Sequence, residues 1–317
     1  MIYVEMYGRL GNQFFRYAAA RAIQKRYYPN ENLVLSFNQI YEEAKKDVTF
    51  YNTLQDYNVV PYTEYQKKGK VIFNESSFAQ KTICIPYYLG LKIIPTEEIN
   101  RQVSYQKKWE HILSEFGVYW YRNGQYDIGK SKQLNKFLSG SFESPNYFNE
   151  IRDVLLEELT PKHEPLEKNR GIYEKIQSTN SVCISVRRGD FETNEKFKGL
   201  HSVCNREYFL NAIDTAKKLI HNPTFFFFSD DIDWVKENIQ TGCETYSEDG
   251  TDPVWEKLRM MSMCKHFIIS NSTFSWWAQY LSTSKNKIVI SPSRWFNNDY
   301  KSPLIEKDFI KIEVQEK

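Results

Sequence analysis

The second half of the chain alternates short apolar runs with amphipathic stretches. That alternation limits the fold more than any other feature of the 317 residues. Residues 181–186, Thr224 to Phe228, 265–270 and Lys287 to Ile290 are rich in Val, Ile and Phe and have the length of strands. Between the first two, Tyr208, Phe209, Ala212, Ile213, Ala216, Leu219 and Ile220 recur at helical spacing over 206–220. Residues 232–239, 253–264 and Phe274 to Leu281 carry shorter helical patterns, with Trp276 and Trp277 on the last read as packing residues. Strands taking turns with helices predict an α/β fold with a parallel, doubly wound sheet. Strands in such a sheet are covered on both faces, which is why these runs are continuously apolar.

The first half begins in the same style. Residues 2–6 read as a strand and 33–37 as another. Between them Phe14, Phe15, Ala18, Ala19, Ala22 and Ile23 mark a helix, with Asn12 in the expected N-cap position. This is a βαβ unit. The turn Gly8-x-x-Gly11 is neither a dinucleotide fingerprint nor a P-loop, and it can be a polar-ligand loop or simply a tight turn. From about 40 to 135 polar, Tyr- and Lys-rich stretches surround short apolar runs such as Val71-Ile72-Phe73 and Thr82-Ile83-Cys84-Ile85. Irregular and helical pieces are expected there, in a section suited to recognising a second substrate. Residues 139–145 read as a strand end and loop, followed by a helix bearing Phe148, Ile151, Val154, Leu155 and Leu159. Thr160-Pro161-Lys162-His163-Glu164-Pro165 is the clearest linker, so the expected domains are 1–160 and 161–317.

Composition removes several classes of function. With 42 basic and 40 acidic residues the net charge is +2, too balanced for a nucleic-acid binder. Five scattered cysteines show no metal spacing and read as reduced, mostly buried thiols. The five histidines form no metal pair, and neither H-E-x-x-H nor G-x-S-x-G occurs. Met1 to Val4 already reads as a strand, so no signal peptide is expected. No apolar run approaches the roughly 20 residues that span a bilayer. The expected place is the cytoplasm, with at most peripheral contact with the inner face of the membrane.

In a parallel sheet, every loop after a strand's carboxyl end lies on one rim. That rim collects Arg187, Arg188 and Asp190 after the strand at 181–186, and Ser229, Asp230 and Asp231 after Thr224–Phe228. It also collects Asn271, Ser272 and Thr273 after 265–270. Arginine presents a planar fork of donors that matches phosphate oxygens two at a time. Carboxylates accept from sugar hydroxyls, and a helix start capped by Ser or Thr offers hydroxyls and free amides. Together they suit a nucleotide, although each aspartate or hydroxyl can also serve only to cap the next helix.

With these residues in view, the chain resembles the α-1,2-fucosyltransferases of glycosyltransferase family 11, the short bacterial members above all. Gly8-Arg9-Leu10-Gly11-Asn12-Gln13 is similar to that family's first segment, and Val186-Arg187-Arg188-Gly189-Asp190-Phe191 to its H-x-R-R-G-D-Y segment. Phe227-Phe228-Ser229-Asp230-Asp231 and Ile269-Ser270-Asn271-Ser272-Thr273-Phe274-Ser275-Trp276-Trp277-Ala278 resemble the two later ones. The resemblance implies a GT-B architecture, two Rossmann-like domains facing a cleft. It implies inverting transfer of L-fucose from GDP-β-L-fucose to the 2-hydroxyl of a galactose-terminated glycan, without a metal or other cofactor. Arg187 and Arg188 would then hold the diphosphate and stabilise its departure, and Asp190 would orient them or touch the fucose. Asp230 or Asp231 would serve the nucleoside. Asn271, Ser272, Thr273 and Ser275 would face the phosphates or sugar, with Asn12 and Gln13 reaching the donor from the N-terminal domain. Ser185 stands where the family usually has histidine, so no contact assigned to that histidine carries over. The catalytic base stays open; Asp190, Glu5 and His201 qualify by residue type alone.

Overall fold

The computed structural model describes residues 1–189 and 195–314, so Asp190 lies outside the described residues. The chain divides into two compact units, Met1–Thr160 and Pro161–Lys317. Thr160 and Pro161 are the first two residues of the linker identified above.

The first unit is built on five parallel strands: β1 (Ile2–Glu5), β2 (Leu33–Ser36), β3 (Thr63–Glu64), β4 (Val118–Tyr119) and β5 (Lys136–Leu138). Their order is β3-β2-β1-β5-β4. Helix α1 (Leu10–Tyr27) joins β1 to β2 and is buried almost all round from Gln13 to Ile23, including Arg16 and Arg21. It starts earlier than Asn12 suggested: Arg9 is the N-cap, without a side-chain bond, and Asn12 lies in the first turn. The reason is the turn at Gly8, whose φ of +73° suits glycine, and where a β-carbon would sit 2.4 Å from Asn12 Nδ2. Asn12 packs on that turn, so the chain has already entered the helix when it reaches this residue.

The section from 40 to 135 is more regular than its sequence suggested. It contains α2 (Asn38–Ala44), α3 (Val71–Glu75), α4 (Phe78–Ile93) and α5 (Ile99–Glu115), and both apolar runs noted above are helical. Ser77 and Gln80 form a reciprocal capping box at the start of α4. The following helix is shorter than expected, with two 3-10 turns preceding α6 (Arg152–Glu158), because Ser144 and Pro145 first hold the chain in a tight turn. Glu158 on α6 takes hydrogen bonds from Arg21 Nε (2.9 Å), Arg21 Nη2 (2.6 Å) and Tyr17 Oη (2.5 Å), all buried. This ties α6 to α1.

The second unit runs α7 (Arg170–Ser178), β6 (Asn180–Val186), α8 (Glu195–His201), α9 (Arg206–Leu219), β7 (Pro223–Ser229) and α10 (Ile232–Asn238). It continues with β8 (Thr245–Ser247), α11 (Val254–Met263), β9 (His266–Ile268), α12 (Thr273–Leu281), β10 (Val289–Pro292) and β11 (Ile310–Ile312). All six strands are parallel, in the order β11-β10-β9-β6-β7-β8. Counted within the unit this is the 3-2-1-4-5-6 order of dinucleotide-binding folds, with its switch point between β6 and β9. Val182, Ile184 and Val186 of β6 pack with Phe225 and Phe227 of β7 and with Tyr208, Phe209 and Ile213 of α9. Trp276 and Trp277 are fully buried, as their helical spacing implied. The short strands β8 and β11 carry no sequence signal of their own; they form because a paired neighbour already exists. Among the described residues, no helix is long and apolar enough to cross a membrane, and all five cysteines are free thiols.

Candidate functional site

The carboxyl ends of β6 and β7 run side by side in register, with Val186 opposite Ser229. The residues that follow therefore meet. Arg187 Nη1 pairs with Asp230 Oδ2 at 2.8 Å, and Asp230 Oδ1 accepts the backbone N–H of Arg188 at 2.9 Å. Arg188 Nε donates to Asp231 Oδ2 at 3.1 Å, and its guanidinium lies 3.9 Å from the centre of the Trp234 ring. No described residue accepts from the terminal nitrogens of Arg188. Both arginines keep about a quarter of their side-chain surface exposed, so they are braced yet accessible. Gly189 permits this approach, because a β-carbon there would fall 2.4 Å from Asp230 Oδ2.

Asp231 is also the N-cap of α10, accepting from Trp234 N–H at 3.3 Å, and its own N–H donates to Ser229 Oγ at 2.9 Å. Beneath it, the Ser229 N–H donates to the buried carboxylate of Glu248, which pairs with Lys257 at 2.8 Å. Burial pushes the Glu248 carboxyl above its ordinary value, with Lys257 acting against that shift. Of the two uses the sequence left open for these aspartates, a nucleoside contact and a helix cap, Asp231 makes the cap; both also hold an arginine, a use the sequence had not pointed to.

Across the switch point, β9 leads into α12. Ser272 is the N-cap residue with no side-chain bond, and Ser272 and Thr273 are both half-buried, so their hydroxyls are available to a ligand. Three residues expected to touch the donor are differently employed. Both amide hydrogens of Asn271 are spent on the carbonyls of His201 (2.8 Å) and Trp295 (2.9 Å). Ser275 is fully buried, within 2.7 Å of Ser185 Oγ and 3.0 Å of Ser270 Oγ. Gln13, also fully buried, donates to the carbonyls of Gly8 and Tyr51 and accepts from Thr53 N–H and Oγ1. These side chains brace loops, a use that residue type cannot distinguish from ligand contact. Asn12 is half-buried in the first turn of α1, and Asp190 lies outside the described residues. Ser185, the position that departs from the motif, fills its place with a hydroxyl-to-hydroxyl contact to α12.

Sequence reasoning missed Trp234 beneath Arg188 and Glu248 beneath Ser229. An aromatic three residues after an Asp cap was the available signal for the first; the second had none, because β8 had not been identified. Among the described residues, no group of three or more His, Cys, Asp or Glu side chains could hold a metal ion.

A model of the family described as glycosyl transferase family 11 matches residues 1–314. The chain is 27% identical over 312 residues to the O-antigen biosynthesis glycosyltransferase WbnK of Escherichia coli, covering 96% of this chain and 98% of that protein. It is 33% identical over 180 residues to an E. coli α-1,2-colitosyltransferase, covering 53% of this chain and 61% of the relative. With human galactoside α-(1,2)-fucosyltransferase 1 it shares 28% identity over 156 residues, 45% of this chain and 42% of that one. Among solved structures, the NodZ α-1,6-fucosyltransferase soaked with GDP-fucose matches with a TM-score of 0.52 at 13% identity, over 89% of this chain and 92% of the other. At that identity the likeness shows the fold alone, the two-sheet α/β architecture of GT-B enzymes.

Proposed function

The chain belongs to glycosyl transferase family 11, and from that premise we propose that it transfers L-fucose from GDP-β-L-fucose to the 2-hydroxyl of a galactose-terminated glycan. The observation that carries this reading is the pair of braced, partly exposed arginines at the β6–β9 switch point, beside a helix start with unengaged hydroxyls. A diphosphate leaving group needs cationic donors where its charge develops, held in place before the reaction begins. Arg188 would grip the phosphates through its free terminal nitrogens, with Arg187 beside it. Ser272, Thr273 and the first amides of α12 would hold phosphate or sugar oxygens. Asp230 and Asp231 keep the arginines in register, and their outer oxygens can accept from the nucleoside. With two arginines in this role, the reaction would need no metal ion. Polysaccharide assembly is the setting suggested by the WbnK likeness.

The second reading is a colitosyl donor in place of the fucosyl one, favoured by the 33% identity to a colitosyltransferase. Purified protein would be incubated with each donor and a panel of β-galactosides, with and without a chelator. GDP release and the linkage of the product would then be measured. An α-1,2-linked fucoside formed at an undiminished rate with chelator supports the proposal. Product from the colitosyl donor alone selects the second reading, and GDP-fucose that neither binds nor reacts refutes the first.

A further inference from the structure

Of the ten large apolar side chains that stand exposed among the described residues, four lie on α4: Phe78, Ile85, Leu89 and Ile93. Their spacings of seven, four and four residues place them in one stripe along the helix. Phe78 and Ile93, at its two ends, are 84% and 78% exposed, and the residues that fill its gaps, Thr82 and Pro86, are exposed and uncharged. The opposite face of α4 is well anchored. Gln80, Cys84, Tyr87 and Leu91 are buried there. Gln80 donates to the carbonyls of Phe116 and Asn135 at 2.8 Å each, and Tyr87 stacks on Tyr105 of α5. The helix therefore has two apolar faces, and its own unit covers only one. An uncovered stripe of this kind marks an interaction surface.

The edge of the stripe indicates the partner. From Phe78 to Ile93 there is no acidic residue. Lys81 and Lys92, eleven positions apart, share one edge of the stripe. Lys92 Nζ lies 4.8 Å from the centre of the Tyr88 ring, and Lys70, just before α3, brings its own Nζ to 5.5 Å from the same ring. None of these three lysines pairs with a carboxylate among the described residues, whereas nearby Lys67 and Lys107 each have a glutamate. An apolar stripe edged by open lysines and a tyrosine suits a helix lying in a lipid surface. Its side chains enter the acyl boundary while its ammonium groups meet anionic headgroups. With 16 residues α4 is about 24 Å long, which suits lying along a bilayer better than crossing one. A second copy fits less well, because stripe packed on stripe would bring lysines together with no acid on either helix to receive them.

We propose that α4 is the surface by which the first unit docks on membranes of anionic phospholipid. The stripe supplies the apolar contact, and Lys70, Lys81 and Lys92 supply an attraction that salt screens. This goes beyond the sugar-transfer reading and depends on neither its donor nor its acceptor, so each can fail without the other.

The full chain would be sedimented with vesicles of phosphatidylcholine alone and of phosphatidylcholine with an equal part of phosphatidylglycerol, across a range of salt. The expected result is binding to the anionic vesicles that weakens as salt rises, and much weaker binding to the neutral ones. Phe78→Ser combined with Ile93→Ser should weaken that binding about tenfold or more, since apolar burial sets much of its strength. The thermal melt should stay near wild type, because both side chains are exposed. Lys81→Glu combined with Lys92→Glu should remove the preference for anionic vesicles. A wild type that ignores anionic vesicles at low salt overturns the proposal, as does binding that the Phe78→Ser, Ile93→Ser variant retains in full. A dimer in sedimentation equilibrium that this variant dissociates would give the stripe to a second copy and overturn it too.

Discussion

The two sheets present their cations in opposite ways. In the second unit, Arg187 and Arg188 stand partly exposed, each matched to its own aspartate. Such pairs contribute little to stability, because water already screens them, and their carboxylates yield readily to a stronger anion. In the first unit, Arg16 is stripped of water and two of its nitrogens are unpaired. That arrangement costs stability; the Glu143 carboxyl is raised to about 7 by its own burial, and the charge of Arg16 acts against that rise. Arg21, on the same helix as Arg16, shows the third possibility: burial with a full set of hydrogen bonds to Glu158. The environment therefore limits what each arginine can do: exposed and paired, it can take the anion proposed above; buried and paired, it fastens helices; buried and open, it lowers the pKa of a neighbouring carboxyl.

The largest effect is expected where a buried cation loses its partner. Glu158→Ala strands Arg21 and Tyr17 and should cost about 3–5 kcal/mol in chemical denaturation. A loss below 1 kcal/mol would show that Arg21 finds water or another acceptor, and would blur its difference from Arg16. Next is Arg188→Ala, which should lower transfer by about 100- to 1000-fold, as removal of a preorganised donor to a developing anion does. Its thermal melt should remain near wild type, because only an exposed pair is lost; unchanged transfer would remove Arg188 from the proposed site.

Gly189→Ala tests the close approach between the loops after β6 and β7. A methyl group there displaces the Asp230 carboxylate, and misplacing Arg187 and Arg188 should slow transfer about tenfold. A wild-type rate would mean that the loop shifts without cost. The smallest effect concerns stability and pH. Glu143 holds its proton more tightly in the folded chain than in the unfolded one, because burial raises its carboxyl to about 7 from the ordinary 4.5. The folded state therefore binds more protons in that window, and this residue's contribution to stability falls as pH rises from about 4.5 to 7. Glu143→Gln should flatten that slope in melts across the window. An unaltered slope would show that Glu143 is well hydrated, and the contrast between the two sheet edges would then rest on geometry alone.

How far the sequence could be read depended on whether local pattern or pairing forms the element. Apolar runs with helices between them revealed the parallel sheet of the second unit, because strands covered on both faces must be apolar throughout. The order of its strands was not readable: the neighbouring of β6 and β9 comes from crossovers, not from any local preference. Asn12 illustrates the same limit at short range. It is a good cap by type, yet the close packing of Gly8 against it starts the helix at Leu10.

By itself, the sequence determined the α/β class, the proline-bearing linker and the presence of arginines, aspartates and hydroxyls at strand ends, since each follows from residue type and spacing. Only the tertiary structure decided which of those groups remain open. Gln13, Asn271 and Ser275 carry the same polar atoms as a binding residue, and their side chains, through the amide nitrogen in Asn271, bond to neighbouring segments. Glu143, one carboxyl among forty acidic residues, stands apart only because folding buries it beside a strained bend at Phe142. Burial and the satisfaction of hydrogen bonds are properties of neighbours distant in the chain, and no local pattern contains them.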